Sequence, residues 1–401
     1  MAANPNFPSS TFAGTHFAEL FGPEVLDPSG LGDMGLATVV DKMKFKSTIN
    51  EVDDTVVFQT PSATFSSQST QASTTEVNLE VVPFEFHKEI ELSTIYSSWL
   101  SENLAPGSMN DYSYDELVNI YLQKVYQPKW KQGASHLILN GKTGLAADIG
   151  VISFSAAYTG LFPLLNADNS VTKNGLSGQT QLTIASVTKA ALAVVTLSSG
   201  SAATSRLFVG STVSIRLSAG GGFTAMNGDF EIMSITSDTV ITINLDTSGF
   251  AGAYTGDTAK VRYINRSNII NILSNHITRT KTVVRRAGAS IILSQELADE
   301  WQFAIAASKM GGGFAPVSAE TLSYVGDRMV ILDNMPANTI GTWLRKHVFY
   351  GYDLSNDETY LKMLWQGERG DETYRLRGRN KTGVAITQAF QPEMMLTTPE
   401  A

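Results

Sequence analysis

Polar and apolar residues alternate with a period of two over long parts of this chain, the pattern of half-buried strands. Lys42, Lys44 and Lys46 alternate with Met43 and Phe45, and Glu76, Asn78 and Glu80 alternate with Val77, Leu79 and Val81. After Val82-Pro83 the phase slips, and Phe84, Phe86, Ile90 and Leu92 become the apolar set. A slip of one residue at a proline predicts a bulge or an edge position. Residues 41–92 therefore read as one long two-stranded arm with an uncharged Ser/Thr/Gln-rich tip from Gln59 to Thr75. Folding back near the middle would set Lys42, Lys44 and Lys46 against the region of Glu85, Glu89 and Glu91, and opposite charges across strands help to fix register by ~0.2–1 kcal/mol each. A hairpin this long is marginal alone in water, so its apolar face needs a partner.

From Gln181 to Ile264 charge is sparse and Thr, Ser, Val, Ile and Gly dominate. Thr212–Leu217, Phe230–Ile235 and Val240–Leu245 alternate cleanly, and Asn227-Gly228 is a tight-turn signal. The segment predicts a small all-β module, a barrel or a sandwich, inserted between two α/β stretches. Further on, Arg328–Asp333 is an apolar strand closed by a turn at Asn334–Asn338, and Thr339–Tyr350 runs back as a long extended segment. After a polar loop at Gly351–Asp357, Tyr360–Trp365, Tyr374–Arg379 and Val384–Phe390 read as three more strands separated by Gly-containing turns.

Helical spacing is rarer. Ser113 and Glu116 form a capping box ahead of Leu117, Ile120, Tyr121 and Val125. Pro128 ends or kinks that helix, which resumes from Trp130 to Leu139 and stops at Asn140-Gly141. Ser267–Lys281 carries Ile269, Ile272, Leu273, His276 and Ile277 on one stripe, with His276 as a packing residue at its edge. Arg279, Lys281, Arg285 and Arg286 follow as a short basic cluster, suited to a solvated helix end or to acids across a subunit contact. Ile291–Leu293 is a buried strand. Ser294 then caps a helix with Glu296, Asp299 and Glu300 in its first turns, Leu297, Trp301 and Ile305 inward, and an end at Met310–Gly313.

Residues 1–40 are rich in Gly, Pro, Ser and Thr, with Phe7, Phe12, Phe17 and Phe21 spaced along them, as in a segment that lies across another surface. At 401 residues and 43% hydrophobic, the chain suits two or three domains. There is no cysteine, which excludes disulfides, thiolate catalysis and cysteine-ligated zinc. No basic-then-apolar leader and no apolar run of ~20 residues occurs, so the expectation is a soluble product of a cytoplasm. The net charge of -9 arises entirely before Ser205, where 10 lysines and no arginine face 19 acids. Such a balance argues against tight nucleic-acid binding, which depends on phosphate neutralisation. Gly30-Leu31-Gly32-Asp33-Met34-Gly35 matches G-x-G-x-x-G but follows Asp27-Pro28-Ser29, so it reads as a loop rather than a dinucleotide fingerprint. The five histidines, His16, His87, His136, His276 and His347, have no metal spacing, and no catalytic motif is present. No enzyme activity, metal or cofactor is expected.

Four stretches carry a resemblance. They are Ala287–Ala298 with its Ser294-Gln295-Glu296, Asp333–Ile340, Phe349–Asp357, and Tyr374-Arg375 with Gly383-Val384. In this order they resemble the tailed-phage major capsid proteins, most of all those of crAss-like phages. The resemblance implies an α+β capsid fold: an N-terminal arm at 1–40, an extended loop at 41–92, and a peripheral domain with a spine helix and the start of the axial domain at 93–180. An inserted all-β domain at 181–264 and the axial domain with return strands at 265–401 complete it. It implies a virion protein that self-assembles, in the host bacterial cytoplasm, into hexamers and pentamers of an icosahedral shell around double-stranded DNA. The implied partners are other copies of the chain, portal, scaffold or decoration proteins, and DNA by weak non-specific contact, with no membrane. Candidate subunit-interface residues are Phe7, Phe12, Lys42, Lys44, Lys46, Val77, Leu79, Val81, Glu85, Glu89, Arg279, Arg285 and Arg286. A competing expectation is an adhesin or decoration protein that binds through the 181–264 module.

Overall fold

The computed structural model describes residues 11–13, 27–53, 73–91, 127–141, 146–148, 153–155, 159–176, 181–198, 203–216, 226–250, 254, 260–307, 323–324, 326–353, 360–365, 373–387 and 394–399. Phe7, His16, Phe17, Phe21, residues 59–72 of the arm's tip, the capping box at Ser113 and the helix end at Met310 lie outside them. The chain forms two compact units, Met1–Leu164 with Arg345–Gln388, and Leu165–Leu344 with Ala389–Ala401.

In chain order the elements begin with β1 (Thr11–Ala13), β2 (Thr38–Val40), β3 (Lys46–Asp53), β4 (Ser73–Glu80) and β5 (Val82–Glu91). Next come α1 (Gln127–Asn140), β6 (Ala146–Asp148), β7 (Ser153–Ser155), α2 (Leu161–Ala167) and β8 (Thr172–Gly175). The inserted module holds β9 (Gln181–Val187), β10 (Ala193–Leu197), β11 (Thr212–Arg216), β12 (Gly228–Ser237), β13 (Val240–Ile243) and β14 (Lys260–Arg262). After it come α3 (Ile269–Arg279), α4 (Thr282–Arg286), β15 (Ser290–Leu293), α5 (Gln295–Ala307), β16 (Ser323–Tyr324), β17 (Asp327–Ile331) and β18 (Ile340–Trp343). The last strands are β19 (Val348–Tyr352), β20 (Tyr360–Trp365), β21 (Thr373–Ile386) and β22 (Met395–Thr398).

The first unit is built on β21. Its sheet runs β1-β20-β21-β19-β2, and β5 also pairs with β21. The alternation in Tyr374–Ile386 belongs to a single strand of 14 residues, so the two strands expected at 374–379 and 384–390 are one up to Ile386. Gly383 is not at a turn but inside that strand, directly opposite Gly351. Pro128 falls in the first turn of α1, where a missing N–H costs no helical bond.

The second unit carries a mixed sheet in the order β16-β17-β15-β18-β22-β8, with α3 and α5 packed on it. The segment Thr339–Tyr350 is not one continuous strand. A 3-10 turn at Arg345–His347 divides it, and the two halves belong to different units. Between β8 and α3 the strands β10-β13-β12-β11-β14-β9 close into a barrel, so the module is a barrel rather than a sandwich. Closure follows from its alternation: Val195, Val213, Ile215, Ile232, Ile241, Ile243 and Val261 all point inward at 0% exposure. Each contributes roughly 1.5–3 kcal/mol of burial. Asn227-Gly228 opens β12 and is not a two-residue hairpin turn, since β11 ends at Arg216.

His276 sits at the centre of the α3 stripe, not at its edge, with 0% exposure. Its Nδ1 lies 2.7 Å from Thr397 Oγ1 and its Nε2 2.9 Å from Thr342 Oγ1, so the ring joins α3 to β22 and β18. A neutral imidazole has one donor and one acceptor nitrogen, and the two hydroxyls supply the complements. Burial pushes its pKa from 6.5 down to about 3. The unfolded chain therefore binds a proton that the native state refuses throughout that window. Native stability is full above pH 6.5 and falls as the pH drops toward 3, by about 1.4 kcal/mol per pH unit from this group. Urea unfolding of wild type and His276→Asn at pH 7.5, 5.5 and 4.5 checks this. The variant is expected to start less stable and to show a shallower acid dependence; equal slopes would remove His276 as the cause.

Candidate assembly surface

Three places in the chain join pieces that the sequence keeps far apart. The first is the root of the β3–β4 ribbon. β3 pairs with β4 from Lys46↔Glu80 to Asp53↔Ser73. At the root, Val81 donates to the Phe45 carbonyl at 2.9 Å, and the backbone then turns onto β21 as β5. Here the facing glycines matter. A Cβ on Gly383 would run into the Glu80 carbonyl oxygen, and one on Gly351 would lie 2.8 Å from Met43 Sδ and 3.0 Å from Leu79 Cδ2. The pair makes a notch in one face of the sheet, and the ribbon backbone lies in it. Met43, Leu79, Val81 and Ala385 are buried there, with Ile49 and Val77 half-buried beside them.

The second place is the neck that holds the barrel to its sheet. Asn338, at φ 54° and 2% exposure, stands at the end of the turn before β18. Its Oδ1 accepts the Ile264 N–H at 2.5 Å, and its Nδ2 donates to the Thr212 carbonyl at 3.2 Å and to Ser214 Oγ at 3.0 Å. Two acids of α5 reach the barrel's base. Glu296 accepts the Thr212 N–H at 2.8 Å, and Glu300 holds the Arg266 guanidinium through two contacts of 3.0 Å. The Glu300 hydrogen bond raises the Arg266 pKa, against burial. Arg266 also lies 4.3 Å from the Phe208 ring centroid and 5.0 Å from that of Phe303. The barrel is thus fixed by buried polar bonds and is not on a loose tether.

The third place is a loop at Asp27–Ala37. The Asp27 carboxylate accepts Ser29 Oγ at 2.9 Å, the Gly32 N–H at 2.6 Å and the Asp33 N–H at 3.2 Å. Gly30 and Gly35 take left-handed φ of 70° and 73°. The G-x-G-x-x-G stretch is therefore a loop closed on its own aspartate, and strand β2 follows it where a dinucleotide site needs a helix. Burial first, then the nearby charges of Asp41, Asp27 and Asp33, push the Tyr352 hydroxyl pKa up.

No family model matches the sequence, and no curated protein matches it. Solved structures do resemble the fold. The capsid of the native GTA particle is similar at 10% identity and TM-score 0.46, over 92% of this chain and 89% of that one. The satellite phage P4 procapsid that includes the size determination (Sid) protein is similar at 10% identity and TM-score 0.47, over 99% and 93%. The capsid of Myoviridae phage XM1 is similar at 9% identity and TM-score 0.46, over 92% and 91%.

The candidate contact residues divide clearly. Phe12 lies on β1, paired with Leu361. Lys42, Lys44 and Lys46 are exposed, but they do not face Glu85, Glu89 and Glu91. The ribbon's root shifts the register so that Lys46 opposes Glu80, and β5 pairs instead with β21. There Glu85 meets Arg377 at 2.9 Å and Glu89 meets Arg375 at 3.1 Å. The Arg377 hydrogen bond holds the Glu85 carboxyl below its ordinary value. Both pairs are about half exposed and so contribute little, ~0–1 kcal/mol each. Leu79 and Val81 are buried within their own unit, while Val77 is half-buried. Arg285 is partly buried, with its Nε bound to Asp327 Oδ2 at 2.6 Å. Arg279 and Arg286 remain exposed. Among the described residues no group of three His, Asp or Glu side chains could hold a metal, and no helix is long and apolar enough to cross a membrane.

Sequence reasoning missed the bonding roles of Asn338, Glu296 and Glu300. Asn338 stood in a turn and the two glutamates in a first helical turn, positions where polar residues occur for local reasons. Only the placement of the barrel base shows what they bind.

Proposed function

We propose that this chain is the building block of a closed protein shell, a major capsid protein of the tailed-phage type, of the crAss-like subgroup that its sequence resembles. The observation that carries the reading is the ribbon. β3 and β4 pair over eight residues with one polar, exposed face, made by Lys46, Thr48, Asn50, Glu76, Asn78 and Glu80. A two-stranded ribbon is marginal in water without a second layer. Its root is anchored in the glycine notch, and its outer part finds the remaining cover on neighbouring copies. The ordered motifs from Ala287 to Val384 support the same reading. The shell is icosahedral, made of hexamers and pentamers, and encloses double-stranded DNA, and a net charge of -9 suits a container that does not grip its cargo. The barrel is a fixed surface module of the subunit, and the chain catalyses no reaction.

Purified full-length chain, followed by sedimentation velocity and negative-stain imaging across a concentration series, tests this. Ring-shaped capsomers or closed shells are expected. A compact monomer at every concentration would end the proposal, and a stable small oligomer that binds glycan or protein through the barrel would favour the adhesin reading.

A further inference from the structure

Two exposed features of the surface carry opposite charge. One is the turn at α4. Val284, at 1% exposure, packs with Ala289 and Leu344, and Arg285 is tied to Asp327, so the turn is pinned from beneath. Its outer side presents Arg279, Lys281 and Arg286, all exposed, around Val283 at 70% exposure. An apolar side chain at the centre of a basic rim is the pattern of a contact surface, where a small dry core is ringed by charge.

The other feature is the Asp27–Ala37 loop with Asp41. Asp33 and Asp41 are exposed, and both act on Tyr352 together with Asp27. Lys42, 4.0 Å from Asp41, is a cation at its margin. Asp27 is committed to its own loop, which holds Asp33 in place.

The two features belong to units of different charge. The unit formed by Met1–Leu164 and Arg345–Gln388 has 16 basic and 24 acidic residues, a net -8, while the other has 13 basic and 14 acidic, a net -1. Like-with-like contacts between copies of the first unit are therefore repelled. Contacts that set the acidic unit of one copy against the near-neutral unit of the next are favoured, most of all at its basic turn. A contact between two different patches is heterologous, and a heterologous contact closes into a ring when the rotation between copies permits.

We propose that the basic turn of one copy, Arg279, Lys281 and Arg286 around Val283, docks on the acidic loop of a second copy at Asp33 and Asp41. This contact rests on the shell-subunit reading above and names where two subunits meet. It sets the head-to-tail polarity of the ring.

A charge swap tests it in the full-length chain. Arg279→Glu with Arg286→Glu, and separately Asp33→Lys with Asp41→Lys, are expected to weaken self-association by at least about tenfold in sedimentation velocity. Combining all four changes restores it, and added salt weakens the wild-type contact. The residues are exposed, and thermal unfolding by circular dichroism confirms that each variant is folded. Because the fourfold variant must regain what the pairs lose, misfolding cannot imitate the result. Folded reversal variants that assemble like wild type, or a fourfold variant no better than either pair, would overturn the contact and leave the shell reading intact. So would normal assembly of Arg279→Glu with Arg286→Glu accompanied by loss of DNA binding, which would assign the turn to nucleic acid. A wild-type chain that never self-associates would overturn the shell reading itself.

Discussion

Gly383→Ala is expected to destabilise the first unit by roughly 3 kcal/mol or more, a large effect for one added methyl group. The strand conformation accommodates alanine. The obstacle is the Glu80 carbonyl, which occupies the place where the new Cβ would sit, with the Glu80 carbonyl carbon at 2.8 Å and Val81 Cα at 3.2 Å. All three are backbone atoms, so no rotamer change relieves the clash. The ribbon root must lift out of the notch, which uncovers Met43, Leu79 and Val81, now at 6%, 0% and 4% exposure. Hydrogen exchange is the informative readout, because it reports the opening of the ribbon root separately from the rest of the chain. The Val81 amide, bonded to Phe45, should lose protection first. Gly249→Ala is the control, since nothing lies within 4 Å of its added Cβ, and it should stay within about 0.5 kcal/mol of wild type. Unchanged protection at Val81 in Gly383→Ala would mean that the ribbon is not seated in the notch.

Asn338→Ala carries the second large effect, roughly 3–5 kcal/mol, expressed at the barrel's neck. The substitution leaves the Ile264 N–H, the Thr212 carbonyl and Ser214 Oγ without their partner in a buried setting, and it puts alanine at φ 54°. Aspartate would keep the acceptor for Ile264 and lose both donors, so Asn338→Asp should be intermediate. The barrel's own core does not pass through this residue, so the barrel should stay folded while its neck loosens. Exchange at Ile264 should rise well before exchange within β13. Equal protection of Ile264 in wild type and Asn338→Ala would show that Glu296, Glu300 and Arg266 hold the neck alone.

Much of the local architecture was legible. Period-two runs at 212–217 and 240–245 became β11 and β13 because β-branched residues on one face and Thr or Ser on the other allow little else. The helix at Ser294 began where its cap lies, with Ser294 Oγ accepting the Leu297 N–H at 3.3 Å. The misreadings share one cause. Lys42, Lys44 and Lys46 were matched to glutamates by alternation along one arm, yet a third strand, β21, took β5 as its partner. Gly383 was read as a turn because a glycine in a strand pattern has local explanations, and its actual reason, the Glu80 carbonyl, is some 300 residues earlier in the chain. His276 was placed at a stripe edge because helical periodicity describes one helix, whereas the two threonines that bury it belong to β18 and β22.

Residue order alone marked the alternating runs that form β4, β11 and β13, the apolar stripes that form α3 and α5, the all-β module that interrupts an α/β chain, and the first half of the chain as the source of the net negative charge. These follow from neighbours within a few positions, where sterics and alternation act directly. Which strand pairs with which, where the ribbon is seated, and what holds the barrel were decided by tertiary structure. Those depend on contacts between residues far apart in the chain, through backbone carbonyls, hydroxyls and a missing Cβ, and no local pattern encodes them.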